Sequence, residues 1–134
     1  ERVKIIQKAL HSADRLTAIY FLRYLKPPEL ENLFSELVWL AACTEGGTLS
    51  IRDSILSLPL EWVVANIEAV AEPILSEGTS LEYRRLLELY MAIDQELTRK
   101  LALRAVAHLD CDIREAGEDF ISKLQELDNN KSDT

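Results

Sequence analysis

Helix breakers and cross-linking residues are scarce in this sequence. Its 134 residues include only 4 Gly, 4 Pro, 2 Cys, 2 His and 1 Met. Two cysteines cannot build a disulfide framework, and with two histidines they leave little material for a metal site. No run of roughly 18 apolar residues occurs, which excludes a membrane-spanning helix, and no signal peptide is visible at Glu1 onward. The chain has no Gly-rich phosphate loop, no nucleophile elbow and no HExxH pair. A catalyst or a cofactor carrier is therefore not expected.

What the sequence has in quantity is helix-forming material. It carries 23 Leu, 13 Ala and 15 Glu, all strong helix formers, and 48% of its residues are hydrophobic. A chain of this length buries about two-thirds of its unfolded surface, enough to fold without staples. An all-α domain is expected. Acidic residues outnumber basic ones 23 to 15, a net charge of −8, which opposes generic nucleic-acid binding. The charge is uneven: residues 1–26 hold six basic and two acidic groups, whereas residues 27–82 hold one and ten.

Apolar spacing of three and four residues marks the helices. Val3, Ile6 and Leu10 define a first helix over 3–11. Leu16, Ile19, Tyr20, Leu22 and Leu25 form the apolar set of a second over 15–26, ended by Pro27 and Pro28. A third helix is expected from Pro28 to Thr44, closed by a left-handed glycine cap at Gly46 and Gly47. Ser50 caps a fourth over 51–58. Pro59 starts a fifth, kinked at Pro73. Thr79 or Ser80 opens a sixth. Asp94 caps the seventh, with Leu101, Leu103, Val106 and Leu109, and Asp110 or Asp112 caps the eighth. Short links between helices imply antiparallel hairpins, stacked as a short α-α superhelix or an irregular bundle. The expected core includes Ile6, Leu22, Leu37, Leu40, Val63, Ile67, Leu86, Leu101, Ile113 and Phe120.

From Asp128 onward the composition is that of a frayed tail, so one domain over 1–127 and a disordered tail over 128–134 are expected. The chain begins at Glu1 without Met, and its first helix lacks a capping residue. That pattern suits a segment of a longer protein. Neither Cys43 nor Cys111 suggests a pair, which fits a reducing cytoplasm.

Asp110, Asp112, Ile113, Arg114, Ala116 and Phe120 make an acidic turn, an apolar residue, an Arg, a small residue and a large apolar one. This resembles the second helix of a HEAT repeat, strongest over residues 94–124. Asp14, Arg15, Ala18 and Leu22 echo it weakly, as do Ile51, Arg52, Ile55 and Leu58. The resemblance implies an α-α solenoid that binds other macromolecules, with the Arg supporting the turn inside each repeat. Some HEAT-like proteins act as pigment lyases or their chaperones, but no residue here points specifically to that.

His11 and His108 lie at helix ends, where a histidine suits the negative dipole. Cys111 and His108 are only two ligands, and a zinc site would need Asp110 or Asp112 as well. The function expected is a non-catalytic protein-protein interaction module or scaffold. Its partner would be another protein or a flanking domain of the same chain, with self-association through oppositely charged ends as a further route. The alternative is a nucleic-acid-binding helical module using the basic N-terminal helices. Candidate partner-binding residues are Arg2, Lys4 and Lys8 on the first helix. A second group, Arg84, Arg85, Arg99, Lys100 and Arg104, would form one ridge if the sixth and seventh helices pack as a hairpin.

Overall fold

The computed structural model describes residues 2–44 and 48–132. Among these the protein is all-α, with nine α-helices, one short 3-10 turn and no strand. The chain divides into two compact units, residues 1–74 and 75–134. In unit one, α1 (Arg2–Leu10) leads to α2 (Arg15–Phe21), the 3-10 turn Leu22–Tyr24, α3 (Pro27–Asn32), α4 (Phe34–Cys43) and α5 (Thr48–Leu56). Helix α6 (Leu60–Glu77) runs across the boundary, and α7 (Ser80–Ile93), α8 (Gln95–Val106) and α9 (Cys111–Ser132) complete unit two.

The third helix of the sequence reading is two helices. Leu33 takes φ −100° and ψ 4°, ending α3, and its carbonyl accepts the N–H of Leu37 to start α4. One residue leaves helical geometry while the apolar stripe continues, since Leu30, Leu33, Phe34 and Leu37 are all buried. The interruption therefore leaves no trace in the hydrophobic pattern. The glycine cap expected at Gly46 and Gly47 lies outside the described residues. Helix α6 continues through Pro73. The carbonyl that Pro73 leaves without a helical partner belongs to Ala69, and both residues are exposed, so burial adds no penalty there.

Unit one buries Leu22, Leu33, Leu37, Leu40, Ile51, Ile55, Val63 and Ile67 at 1% exposure or less. Each such side chain contributes about 1.5–3 kcal/mol on leaving water. Of the expected core, nine of the ten residues are buried; Ile6 is only half-buried. Arg2 fastens α1 to α3 through two hydrogen bonds of 2.6 Å to the Glu29 carboxylate, and Gln7 bonds Glu36 on α4.

Unit two is a three-helix packing of α7, α8 and α9. Its caps are local and complete. The Thr79 hydroxyl accepts from Leu81 N–H while Glu82 accepts from Thr79 N–H at 2.8 Å, a capping box on α7. Asp94 Oδ2 accepts Leu97 N–H at 3.0 Å, and Asp110 Oδ1 accepts from Asp112 and Ile113 at 2.8 and 3.2 Å. Between α8 and α9 the small residues Ala102, Ala105, Ala116 and Gly117 are buried, which allows the backbones to close together. Helix α9 continues to Ser132, beyond the point where the composition suggests a tail, and from Gln125 to Asn130 it is exposed on all sides.

Candidate functional site

Helix α2, together with the 3-10 turn that continues it, is apolar on two faces. Ala18, Ile19, Leu22 and Leu25 point into unit one and are buried. On the other side Leu16, Tyr20, Phe21 and Tyr24 are 66, 49, 47 and 58% exposed. The sequence reading placed Leu16 and Tyr20 in one apolar set with the buried residues; they belong instead to the outer face. A helix normally has one apolar stripe to bury, and here a second stripe remains in water.

The three outer rings do not stand apart. Tyr20 and Phe21 meet edge to face with centroids 5.5 Å apart, and Tyr24 lies 6.1 Å from each of them. These are favourable aromatic geometries. Arg23 completes the cluster, with its guanidinium 4.4 Å from the Tyr20 ring centre. Among the described residues no carboxylate pairs with Arg23. Arg23 also lines an adjoining cavity of about 480 Å³. Ile19, Leu22 and Leu30 give the cavity its apolar walls, and Asp53 and Ser54 of α5 supply polar ones.

The other cations of this end have different surroundings. Arg2 is held by Glu29, whose carboxyl is lowered to about 2, first by the hydrogen bonds from Arg2 and then by the N–H of Lys26. Arg15 donates from Nε to the carbonyl oxygen of Leu10 at 3.0 Å and so braces the α1–α2 turn. Lys4 and Lys8 are exposed on α1. Of the candidates on the first helix, Arg2 is thus a tie between helices, while Lys4 and Lys8 stand on the surface.

The second group of candidates is engaged within its surroundings. Arg84 pairs with Asp119 at 2.9 Å, and Arg99 pairs with Glu96 at 2.7 Å and with Asp128 at 3.4 Å. Arg85, Lys100 and Arg104 have interactions of their own as well. Asp119 and Asp128 are nine residues apart on α9, roughly 13 Å along a helix, so Arg84 and Arg99 do not converge on one point.

The titratable groups near the α8–α9 turn are used structurally. His108 Nδ1 accepts the N–H of Asp110, and its ring packs against Tyr83 at 5.7 Å. Side-chain ligand atoms of Asp110, Cys111 and Asp112 lie within 4.8 Å of one another, but all three residues are exposed and Asp110 is the cap of α9. His11 packs on Trp39 with centroids 6.0 Å apart.

Sequence reasoning missed Phe21, Arg23 and Tyr24 as site residues. The available signal was the count of apolar positions: residues 16–25 carry two stripes where one core-facing stripe suffices. Compared with known proteins, the chain matches no family model, no curated protein sequence and no solved structure.

Proposed function

We propose that this chain is a non-catalytic protein-binding domain, built from helical hairpins of the HEAT-like kind, which docks another protein on the outer face of α2. The observation that carries this reading is the mutually packed Tyr20, Phe21 and Tyr24 cluster with Arg23 at its edge. Tyrosine and arginine are the residue types that dominate binding energy at protein interfaces. Aromatic side chains have few rotatable bonds, so they lose little freedom when a partner arrives, which favours affinity.

The HEAT-like part of the reading is supported by a repeated device. Arg114 Nη1 donates to the carbonyls of His108 and Leu109 at 2.9 and 2.7 Å. Arg15 does the same to Leu10, also five residues back, at the start of α2. In both places an Arg early in a helix ties down the turn that precedes it, as the resemblance implies. Neither Cys43 nor Cys111 is in a disulfide, which favours a reducing, cytoplasmic setting.

The test compares the full chain with its Tyr20→Ser/Tyr24→Ser variant as baits, with quantitative identification of what each retains. Both side chains are about half exposed, so the variant should melt within a few degrees of the parent. A protein retained by the parent and weakened at least about 30-fold by the variant, equivalent to about 2 kcal/mol, supports the reading. Equal retention by a variant that folds normally contradicts it.

A further inference from the structure

Resting on that docking face, we propose that its occupant is an acidic amphipathic helix of the partner protein, with aliphatic side chains on the aromatic ridge and carboxylates over Arg23.

Leu16 to Tyr24 spans α2 and the 3-10 turn after it, roughly 12–14 Å, which matches the i, i+3 or i+4, i+7 anchors of one facing helix. No strand exists among the described residues, so this unit offers no sheet edge to an extended segment.

Charge complementarity selects the sign of the occupant. Residues 1–26 carry six basic and two acidic groups, while the remaining residues carry nine basic and 21 acidic ones. Arg2 is neutralised by Glu29 and Arg15 is turned onto a backbone carbonyl. Arg23 keeps its charge at the ridge, and Lys26 follows Tyr24 by two residues and is exposed. Arg23, with no carboxylate partner among the described residues, is therefore the point to which an acidic helix is drawn.

The ring geometry separates this occupant from a single-stranded nucleic acid. A base needs an open aromatic face on which to stack. Here the rings meet at 85, 58 and 47°, and Arg23 lies over the face of Tyr20. Arg23 thus occupies one face of Tyr20, which leaves less open ring on which a base could stack.

The experiment is fluorescence anisotropy on the full chain with three labelled probes. One is an acidic helical peptide of roughly 18 residues with leucines on one face and glutamates beside them. The second replaces every glutamate by lysine, and the third is a thymidine oligonucleotide of about 20 nucleotides. The acidic peptide should bind, and should weaken several-fold between about 50 and 300 mM salt. Arg23→Glu and Tyr20→Ala/Tyr24→Ala should each weaken it at least ten-fold, while Arg23→Lys should retain most of the binding. Leu103→Ser in unit two, checked to melt like the parent, should change nothing. Equal binding of the lysine peptide at the same residues overturns the acidic occupant and leaves the docking face standing. Failure of both peptides overturns the occupant, leaving the face to be judged by the bait comparison. Displacement of the acidic peptide by the oligonucleotide overturns both proposals.

Discussion

Gly117 faces Ala102 across the α8–α9 contact so closely that a Cβ on Gly117 would lie 2.6 Å from the Ala102 carbonyl oxygen. The same Cβ would lie 2.8 Å from the Val106 nitrogen and 2.9 Å from the Ala105 Cβ. Two of the three obstacles are backbone, so no rotamer change relieves them. Glycine in a helix interior otherwise costs about 0.5–1 kcal/mol relative to alanine. The sign of Gly117→Ala therefore decides between propensity and packing. The helices must separate to admit the methyl group, and such overpacking typically costs about 1–3 kcal/mol. Denaturant unfolding should show a net loss of stability. A variant more stable than the parent would mean that α8 and α9 can part without penalty.

The α8–α9 turn is held from both sides, and each side gives a separate expectation. Asp110→Ala removes the cap on α9 and should cost about 1 kcal/mol. Arg114→Met keeps much of the stem but removes charged hydrogen bonds to two carbonyls, for about 1.5–3 kcal/mol. The two residues brace the same turn, so their double variant should fall short of additivity. Thermal unfolding of the two singles and the double checks this. An unchanged midpoint for Arg114→Met would remove the brace on which the HEAT-like reading relies.

Local chemistry is where the sequence was most legible. Asp94 and Asp110 were recognisable as caps because a cap involves only the next three residues. Leu37, Ile67, Leu86 and Phe120 were recognisable as core because their stripes have one face to bury. Glu82 escaped notice as the second half of the Thr79 capping box, since either Thr79 or Ser80 could open α7. The break at Leu33 was not legible, because the apolar spacing passes through it unaltered. The outer face of α2 was hidden for a related reason. Periodicity marks apolar positions, but which of two apolar faces is covered depends on neighbours distant in sequence. Leu103 and Leu109 show the same limit, since both are apolar on and just after α8 and yet are 56 and 94% exposed.

Acid should act on the Arg2–Glu29 pair. Glu29 titrates at about 2 in the folded chain against an ordinary value of 4.5, because Arg2 donates to its carboxylate and Lys26 adds an N–H. A depressed carboxyl stabilises the fold above its unfolded value and loses that contribution as pH falls toward the folded one. The pair should hold α1 on α3 above about pH 4.5 and let go between there and about pH 2. Carbon-13 titration of the Glu29 carboxyl should show the low midpoint, and Arg2→Gln should return it toward the ordinary value. A parent midpoint near 4.5 would show that the pair does not persist in solution.

The docking face can be located directly by photo-crosslinking in the cells that make the protein. A benzoylphenylalanine is placed at Tyr24 on one variant and at Leu103 on another, two exposed apolar positions in different units. A docking face on α2 should give one discrete protein adduct from position 24, absent from position 103 and abolished when Tyr20→Ser is added. Adducts from position 103 alone, or nucleic-acid adducts from position 24, would contradict it.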